Sequence, residues 1–549
     1  MQVQEVETTA EDGEGLAQRI VALANTLAEA CQRRGAWLIS IFSLLYFPVI
    51  GLIATRKQLE NDELYTLNIA RLSNLRAVWA ALQTGAEQLP PFFYVLTRAS
   101  LSVLGEGNLA LRFPAILGFW VMSLCLFRFV SQRSTALYGL LAMLFALTTG
   151  AYYYTFEARP YGLTLGFAGL ALLCWQSLVE KHWRWLSLIA FTLSLSAAIS
   201  CHYYAVLLLV PFACGEAARI FWHKRLDLLC WVGMATSLVP LLLLWPLIQS
   251  ARSYSTAFWS QPSWGNLPGF YYFMLMSAVL PLTAILILAA LYTVILPDKS
   301  SDDALATNTI FRVGLTRPEL AVAIGFLAIP FVAVAMAMFV TGAFTDRYAL
   351  PAVLGLGILM PFAFHPLLRG REILTLLLAV CLMVGFVRRG GMTLEESAKR
   401  IQAREGTIKL IQAEGESNLS IACSDPHSFL ILSHYAPPEV RSRLVYLADP
   451  DASMRYLGHN SIERGMFDLL KPVFRLNVQP YHPYLTSGRP FLLCGNPHYF
   501  LNWVLTELVS SGAHLELKAQ YQDIQLFRVS FENQPGKASG NGDDRSSAP

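Results

Sequence analysis

The sequence predicts a polytopic α-helical membrane protein of about eleven spans, followed by a small α/β domain. Three observations carry that expectation. The 549 residues are 54% hydrophobic and 14% charged, with a mean hydropathy of +0.44, which is more apolar surface than a water-soluble chain of this length buries. Apolar runs near the length a bilayer requires, ~20 residues, recur from residue 36 to residue 387. After Arg389 the composition turns polar and mixed.

The elements follow in order. The opening stretch, MQVQEVETTAEDGEGLAQ, is acidic and polar. It is no signal peptide, because the first apolar run begins only near Ala36. Residues 1–35 therefore read as a cytoplasmic segment, with Arg33 and Arg34 holding the start of an uncleaved first span inside. Eleven runs qualify or nearly do: 36–54, 113–131, 134–156, 160–179, 185–201, 203–221, 228–249, 270–296, 319–343, 348–367 and 372–387. The segment PPFFYVLTRASLSVLG, Pro90 to Gly105, is short and carries Arg98, so it reads as a helix lying at the interface. Charge tests this choice. The inner links hold Arg128, Arg133, Lys181, Arg184, Arg219, Lys224, Arg225, Lys299, Arg312, Arg317, Arg369 and Arg371, whereas the short outer links hold only Arg159, Arg252 and Arg347. That is a positive-inside bias, and it would invert if Pro90–Gly105 crossed. Arg388 and Arg389, at the outer end of the last span, count against it.

Residues 36–389 thus form the membrane domain and 390–535 an extra-cytoplasmic α/β domain. In the latter, strand-like runs (419–423, 443–447, 490–494, 524–530) alternate with helix-like ones (429–435, 499–511). The closing NQPGKASGNGDDRSSAP reads as disordered, with 536–549 as the tail. No internal repeat is visible. A net charge of +3 is too small to argue for a nucleic-acid partner. Cys125, Cys174, Cys201, Cys214, Cys230 and Cys381 lie in or beside apolar runs without metal-ligand spacing. Cys423 and Cys494, in the polar domain, read equally as a disulfide or as two separate buried thiols.

The outer loops hold the residues with chemical capacity, and ionisable groups at membrane depth mark a site or an internal pairing. The first loop, from Arg56 to Arg112, carries Asp62, Glu63, Tyr65, Glu87, Gln88 and the Pro90-Pro91 pair. TFEARPYG supplies Glu157, Arg159 and Tyr161; CHYY supplies His202, Tyr203 and Tyr204; an aromatic loop supplies Trp259; and FTDRYALP supplies Asp346, Arg347 and Tyr348. Each has a plainer reading. Asp62 and Glu63 suit the first turn of a helix, Glu157 and Arg159 suit a mutual ion pair, His202 a helix end, Asp346-Arg347 a cap with an interfacial anchor, and the aromatic loop an interfacial belt. The functional reading gains because all of them fall on one side of the membrane.

Residues 61–72, NDELYTLNIARL, followed by QLPPFFYVLTRASLSVLGEGNLALRFPAILGF, resemble the amino-terminal signature of integral membrane glycosyltransferases of the GT-C class. Within it they resemble most the branch of the aminoarabinose transferases and protein mannosyltransferases. EARPYGL, HYYAVLLLVP and FTDRYALPA are similar to later landmarks, so the likeness covers roughly residues 35–390. The resemblance implies a GT-C-like catalytic domain in the bacterial cytoplasmic membrane. It implies transfer of a sugar from a polyprenyl-phosphate carrier to a glycan, lipid or protein acceptor outside. It makes Asp62 the base or acceptor-orienting carboxylate, Glu63 its neighbouring acid and Glu157 a second outer acid. One departure stands out: where aminoarabinose transferases keep a phosphate-holding lysine before the Pro-Pro pair, this chain has Gln88 and Leu89.

The chemistry suits these residue types. An acceptor hydroxyl needs a carboxylate to take its proton, and the departing lipid phosphate needs a cation. Arg347 and Arg159 are the clamp candidates, since guanidinium grips phosphate through two N–H groups, and His202 adds a donor. Tyr65, Tyr161, Tyr203, Trp259 and Tyr348 are the candidates for contact with sugar or lipid. A single attack implies inversion at the anomeric carbon. No DxD motif for nucleotide sugars falls in a cytoplasmic segment, so no cofactor is required, although an ion held by Asp62 and Glu157 stays open. Two other classes remain: a transporter or flippase of lipid-linked or small polar substrates, and a sensor whose function lies in residues 390–549.

Overall fold

The computed structural model describes residues 19–295, 314–368, 371–414 and 418–531. Most of the N-terminal segment, the link carrying Lys299 and Arg312, Arg369 and the tail 536–549 lie outside the described residues. The chain divides into two compact units, Met1–Arg400 and Ile401–Pro549.

The first unit is that of a polytopic helical membrane protein. Among the described residues, eight helices are long and apolar enough to cross a bilayer. A ninth is a pair, Leu228–Leu243 and Trp245–Arg252, bent by 65°. Three apolar helices are shorter: Pro91–Leu104, Ala136–Thr148 and Ala352–Leu368. The expected runs 134–156 and 348–367 are the last two of these. The first is cut short because the Thr149 hydroxyl caps the Ala151 N–H and starts a 3₁₀ turn over Gly150–Thr155. The second begins only after the 3₁₀ turn Asp346–Ala349 and Pro351. The expected run 372–387 is the start of one long helix, Glu372–Glu414.

Side-chain bonds sort the helix ends into two sets. At one end Arg112 reaches the carbonyls of Ala54, Lys57 and Gln58. There too Arg389 caps the carbonyls of Leu147 and Thr149, and the Tyr204 hydroxyl meets the Ala343 carbonyl at 2.6 Å. A cation at a helix C-terminus is favourable, which gives Arg389 a local reason to sit where charge counting made it anomalous. At the other end Arg133 and Gln176 converge on Glu319 at 2.7–2.9 Å, Gln32 accepts from the Ala136 N–H, and Tyr138 meets His365. Helix Pro91–Leu104 is tied at both ends to the first set. It starts four residues after Glu87, which binds Arg159. It ends in a turn through Gly105, at φ +89°, beside the Arg71–Glu106 pair (2.5 Å) and the Ser100–Ala110 bond (2.6 Å). It therefore lies along one end of the bundle.

Small residues allow the tightest packing. A methyl group on Gly166 would stand 2.5 Å from the Gly118 carbonyl, and one on Gly162 2.5 Å from that of Ala115. Helices Asn108–Ser131 and Tyr161–Val179 thus meet backbone to backbone, as small-residue interfaces permit in lipid.

The second unit holds a six-stranded sheet in the order β3-β2-β1-β4-β6-β5, with β1 Ile421–Cys423, β2 Leu444–Ala448, β3 Val478–Pro480, β4 Phe491–Gly495, β5 His514–Tyr521 and β6 Ile524–Ser530. β3, β2, β1 and β4 are parallel and β6 runs antiparallel to both neighbours. β1, β2 and β4 are buried throughout, as parallel strands covered by helices must be. Cys423 and Cys494 face each other in register on β1 and β4 as free, buried thiols.

Candidate active site

The site is built on the helix Asn61–Ala70. Glu60 and Glu63 close a capping box at its start, each side chain taking the other's backbone N–H. Consecutive helical residues point about 100° apart, so Asp62 and Glu63 face different surroundings. Glu63 turns inward and is fully buried. Arg112 holds it bidentately at 2.7 and 2.6 Å. The Ala158 N–H donates at 2.8 Å and the Glu60 N–H at 3.1 Å, and Lys57 stands 3.7 Å away. Burial alone would raise its pKa, but Arg112, Lys57 and the Ala158 N–H outweigh it and hold the carboxyl at about 2. With both oxygens occupied, Glu63 is placed to fix the loop against two helices rather than to meet a substrate, which departs from its expected place beside Asp62 in the chemistry.

Asp62 turns outward, with its side chain 38% exposed. Arg347 pairs with it directly, and the Arg159 Nε lies 3.9 Å from the same oxygen. Arg159 is buried and bound to Glu87 at 3.2 and 3.3 Å, with a further bond to the Asp62 carbonyl. The expected Glu157–Arg159 ion pair is therefore replaced by Glu87–Arg159. Arg347 is oriented by the Thr345 hydroxyl and lies 5.7 Å over the Tyr161 ring.

Glu157 is half-buried, and among the described residues its carboxyl makes no hydrogen bond or ion pair. Burial first, then the negative charge of Glu63, pushes it up to about 8, against the pull of Arg347. It is thus mostly protonated at neutral pH. His202 is buried, with Nδ1 accepting from the Tyr204 N–H at 3.2 Å. Burial, with the charges of Arg347 and Arg159, lowers its pKa to about 3. A neutral ring that accepts at Nδ1 carries its proton on Nε2, as a donor. Its ring packs 5.3 Å from Tyr161 and 5.1 Å from Tyr348.

The structure therefore brings Asp62, Arg159, Arg347, His202, Tyr161 and Tyr348 into one connected cluster, with Glu157 within electrostatic reach. Tyr65, one turn on from Asp62, is half-buried near Glu87 and Asp62, and burial raises its hydroxyl pKa. Tyr203 stands aside: Tyr204, its neighbour, stacks 4.4 Å from Tyr348 instead. Trp259 is 44% exposed and leans on Phe258. It makes no ring or polar contact with the cluster among the described residues, although adjacent Ser260 binds the Phe344 carbonyl at 2.5 Å. Sequence reasoning missed Arg112, Glu87 and Lys57 as partners. An arginine at the start of an apolar run, in NLALRFPAILGF, was the available signal for Arg112. Among the described residues no three of His, Cys, Asp or Glu stand close enough to share a metal ion, so Asp62 and Glu157 have no third ligand of these types.

No family model matches the sequence, and no curated protein matches it in sequence. Solved structures do match. ArnT from Cupriavidus metallidurans in the apo state aligns with a TM-score of 0.55 at 12% identity, over 91% of this chain and 98% of that one. The chain has the ArnT fold. The same transferase bound to undecaprenyl phosphate aligns at 0.53 and 13% identity, over 90% and 98%. An oligosaccharyltransferase from Archaeoglobus fulgidus, solved with Zn and sulfate, aligns at 0.42 and 12%, over 83% of this chain and 67% of that one, too distant to bear on the fold. At these identities the likeness is one of architecture and assigns no residue.

Proposed function

We propose that the chain is a membrane glycosyltransferase. It moves a sugar from a polyprenyl-phosphate donor to an acceptor hydroxyl, or to a lipid or glycan phosphate, on the outer side of the cytoplasmic membrane. One observation carries this reading: a half-exposed carboxylate, Asp62, is held by an arginine, Arg347, at the same end of the bundle as a second acid, Glu157, whose pKa burial raises. The fold, shared with a transferase solved with undecaprenyl phosphate, supports the class of donor.

In the proposed step the donor phosphate draws Arg347 off Asp62. The freed carboxylate takes the acceptor proton as the acceptor oxygen bonds to the anomeric carbon. The anomeric C–O bond breaks and its electron pair leaves on the lipid phosphate, with inversion. Arg347 neutralises that charge, the N–H of neutral His202 donates a hydrogen bond to it, and protonated Glu157 adds another. Arg159, already paired with Glu87, fixes Asp62 through its backbone. Glu63 and Arg112 position the helix that carries Asp62. In this reading the end bearing these groups is the outer one, and the α/β domain of residues 390–535 is extra-cytoplasmic.

The test uses the full chain in proteoliposomes with a lipid-linked labelled sugar. Asp62→Asn is expected to lower transfer by roughly 10²–10⁴-fold while leaving lipid movement across the bilayer unchanged. Loss of lipid movement with no transfer in the wild type would establish a flippase instead. Glycan profiling of a deletion strain identifies the sugar and the acceptor.

A further inference from the structure

The sheet of the second unit has a reversal point. From β1 the chain winds outward through β2 to β3, then returns to place β4 on the other side of β1. In open parallel sheets such a point leaves a crevice at the carboxyl ends of the two strands, where ligands bind. Here the crevice is a cavity of about 200 Å³. Asp425, His427, Tyr499 and Arg404 supply its polar lining, and Ile431, Leu432 and Ile524 an apolar side.

Its chemistry is specific. The His427 Nδ1 and the Tyr499 hydroxyl are joined at 2.6 Å, which fixes both rings. Asp425 accepts from the Ser428 N–H at 2.8 Å and so caps the helix Pro426–Tyr435. That helix start is thus already satisfied by a carboxylate, which argues against an anionic ligand. One cation, one carboxyl and one imidazole leave the lining near neutral. Beside it the Ser424 hydroxyl is buried and has no hydrogen-bond partner among the described residues. It lies over Gly495, a lining residue, where any side-chain carbon would collide with it. A buried hydroxyl without a partner is rare, and here the glycine keeps room for one at the cavity wall.

We propose that this crevice binds a single neutral sugar residue. Alternating donors and acceptors suit ring hydroxyls, the apolar side suits the C–H face of a pyranose, and the volume falls below the range for larger ligands, ~300–1,000 Å³. That the residue is the terminal unit of the acceptor or product glycan rests on the glycosyltransferase reading; the binding itself does not. The test is saturation-transfer NMR on the full chain in nanodiscs with methyl glycosides of glucose, galactose, mannose and N-acetylglucosamine. At least one glycoside is expected to bind. Tyr499→Phe, which removes one hydroxyl and keeps the ring, and His427→Ala are expected to weaken it about tenfold. Asp62→Asn is expected to leave it unchanged, with melting curves confirming folding. No binding by any glycoside, binding indifferent to both variants, or binding lost with Asp62→Asn would overturn the proposal. Should Asp62→Asn leave transfer intact while the glycoside still binds through His427, the catalytic reading fails and the crevice stands.

Discussion

Glu157 offers the sharpest test of the site, because its protonation predicts both activity and stability. Its carboxyl is raised from 4.5 to about 8, so at pH 7 about 90% of molecules carry the proton there. In the proposed step the protonated form is the useful one. Transfer should therefore fall on the alkaline limb, by about tenfold per pH unit above pH 8. Glu157→Gln keeps the shape and an N–H donor but cannot ionise. It should retain activity near pH 7 within a few fold and lose that alkaline limb. The sign for stability is the reverse of an ordinary carboxylate. Between pH 4.5 and about 8 the native state binds more protons at this group than the unfolded chain, so stability falls as pH rises through that window. At 1.36 kcal/mol per unit the full cost at pH 7 is about 3 kcal/mol, and solvent at a half-buried position reduces it to roughly 1–2 kcal/mol. Glu157→Gln removes that cost, so the variant should melt higher than the wild type at pH 8 and alike at pH 4. Proteoliposome transfer assays from pH 6 to 9.5, with melting curves at both pH values, measure the two effects. An alkaline limb that survives in Glu157→Gln, or a variant that melts lower at pH 8, would refute the reasoning.

Other outcomes follow from the same geometry. Arg112→Met strips the buried Glu63 carboxylate of its bidentate partner and leaves it Lys57 at 3.7 Å and two backbone N–H groups, which should cost about 3 kcal/mol; the yield of folded protein should drop, and Arg112→Met with Glu63→Gln should recover part of it. The Glu63 carboxylate, lowered to about 2, gives stability that is full above pH 4.5 and lost as pH falls toward 2, worth about 3 kcal/mol; acid-unfolding curves of the wild type and Glu63→Gln should separate above pH 4.5. Arg347→Lys keeps the charge but not the forked grip, so the donor KM should rise about tenfold or more with less change in folding. Gly166→Leu drives a side chain into the Gly118 carbonyl and should abolish a folded bundle, read by size-exclusion profile.

How much was legible beforehand varies by element. Apolar length marked most of the long helices, and Pro91–Leu104 is, as its short run indicates, one of the shorter apolar helices. The strands β1, β2, β4 and β6 announced themselves as apolar runs. β3 escaped because it is three residues long and ends in Pro480. β5 escaped because HLELKAQY is a largely exposed edge strand whose alternation is broken by the irregularity between Leu517 and Ala519. In the site, the loops that supply Asp62, Arg159, His202 and Arg347 were legible, but the partners of these residues were not. Glu157 and Arg159 are two residues apart and looked like a pair, yet Arg159 binds Glu87 in another loop.

By itself the sequence determined that the chain lives in a membrane, where its helices run, and which loops gather acids and cations, because hydropathy and charge act locally along the chain. Only the tertiary structure decided which acid is paired. Asp62 and Glu63 are neighbours in sequence and differ in role because the helix turns them about 100° apart, one toward Arg112 in the dry interior and the other toward Arg347 and water. The Glu157 pKa is raised because folding buries it, and sets it near the charge of Glu63, with no ion-pair partner among the described residues. Pairing depends on distance across the fold, which no run of residues encodes locally.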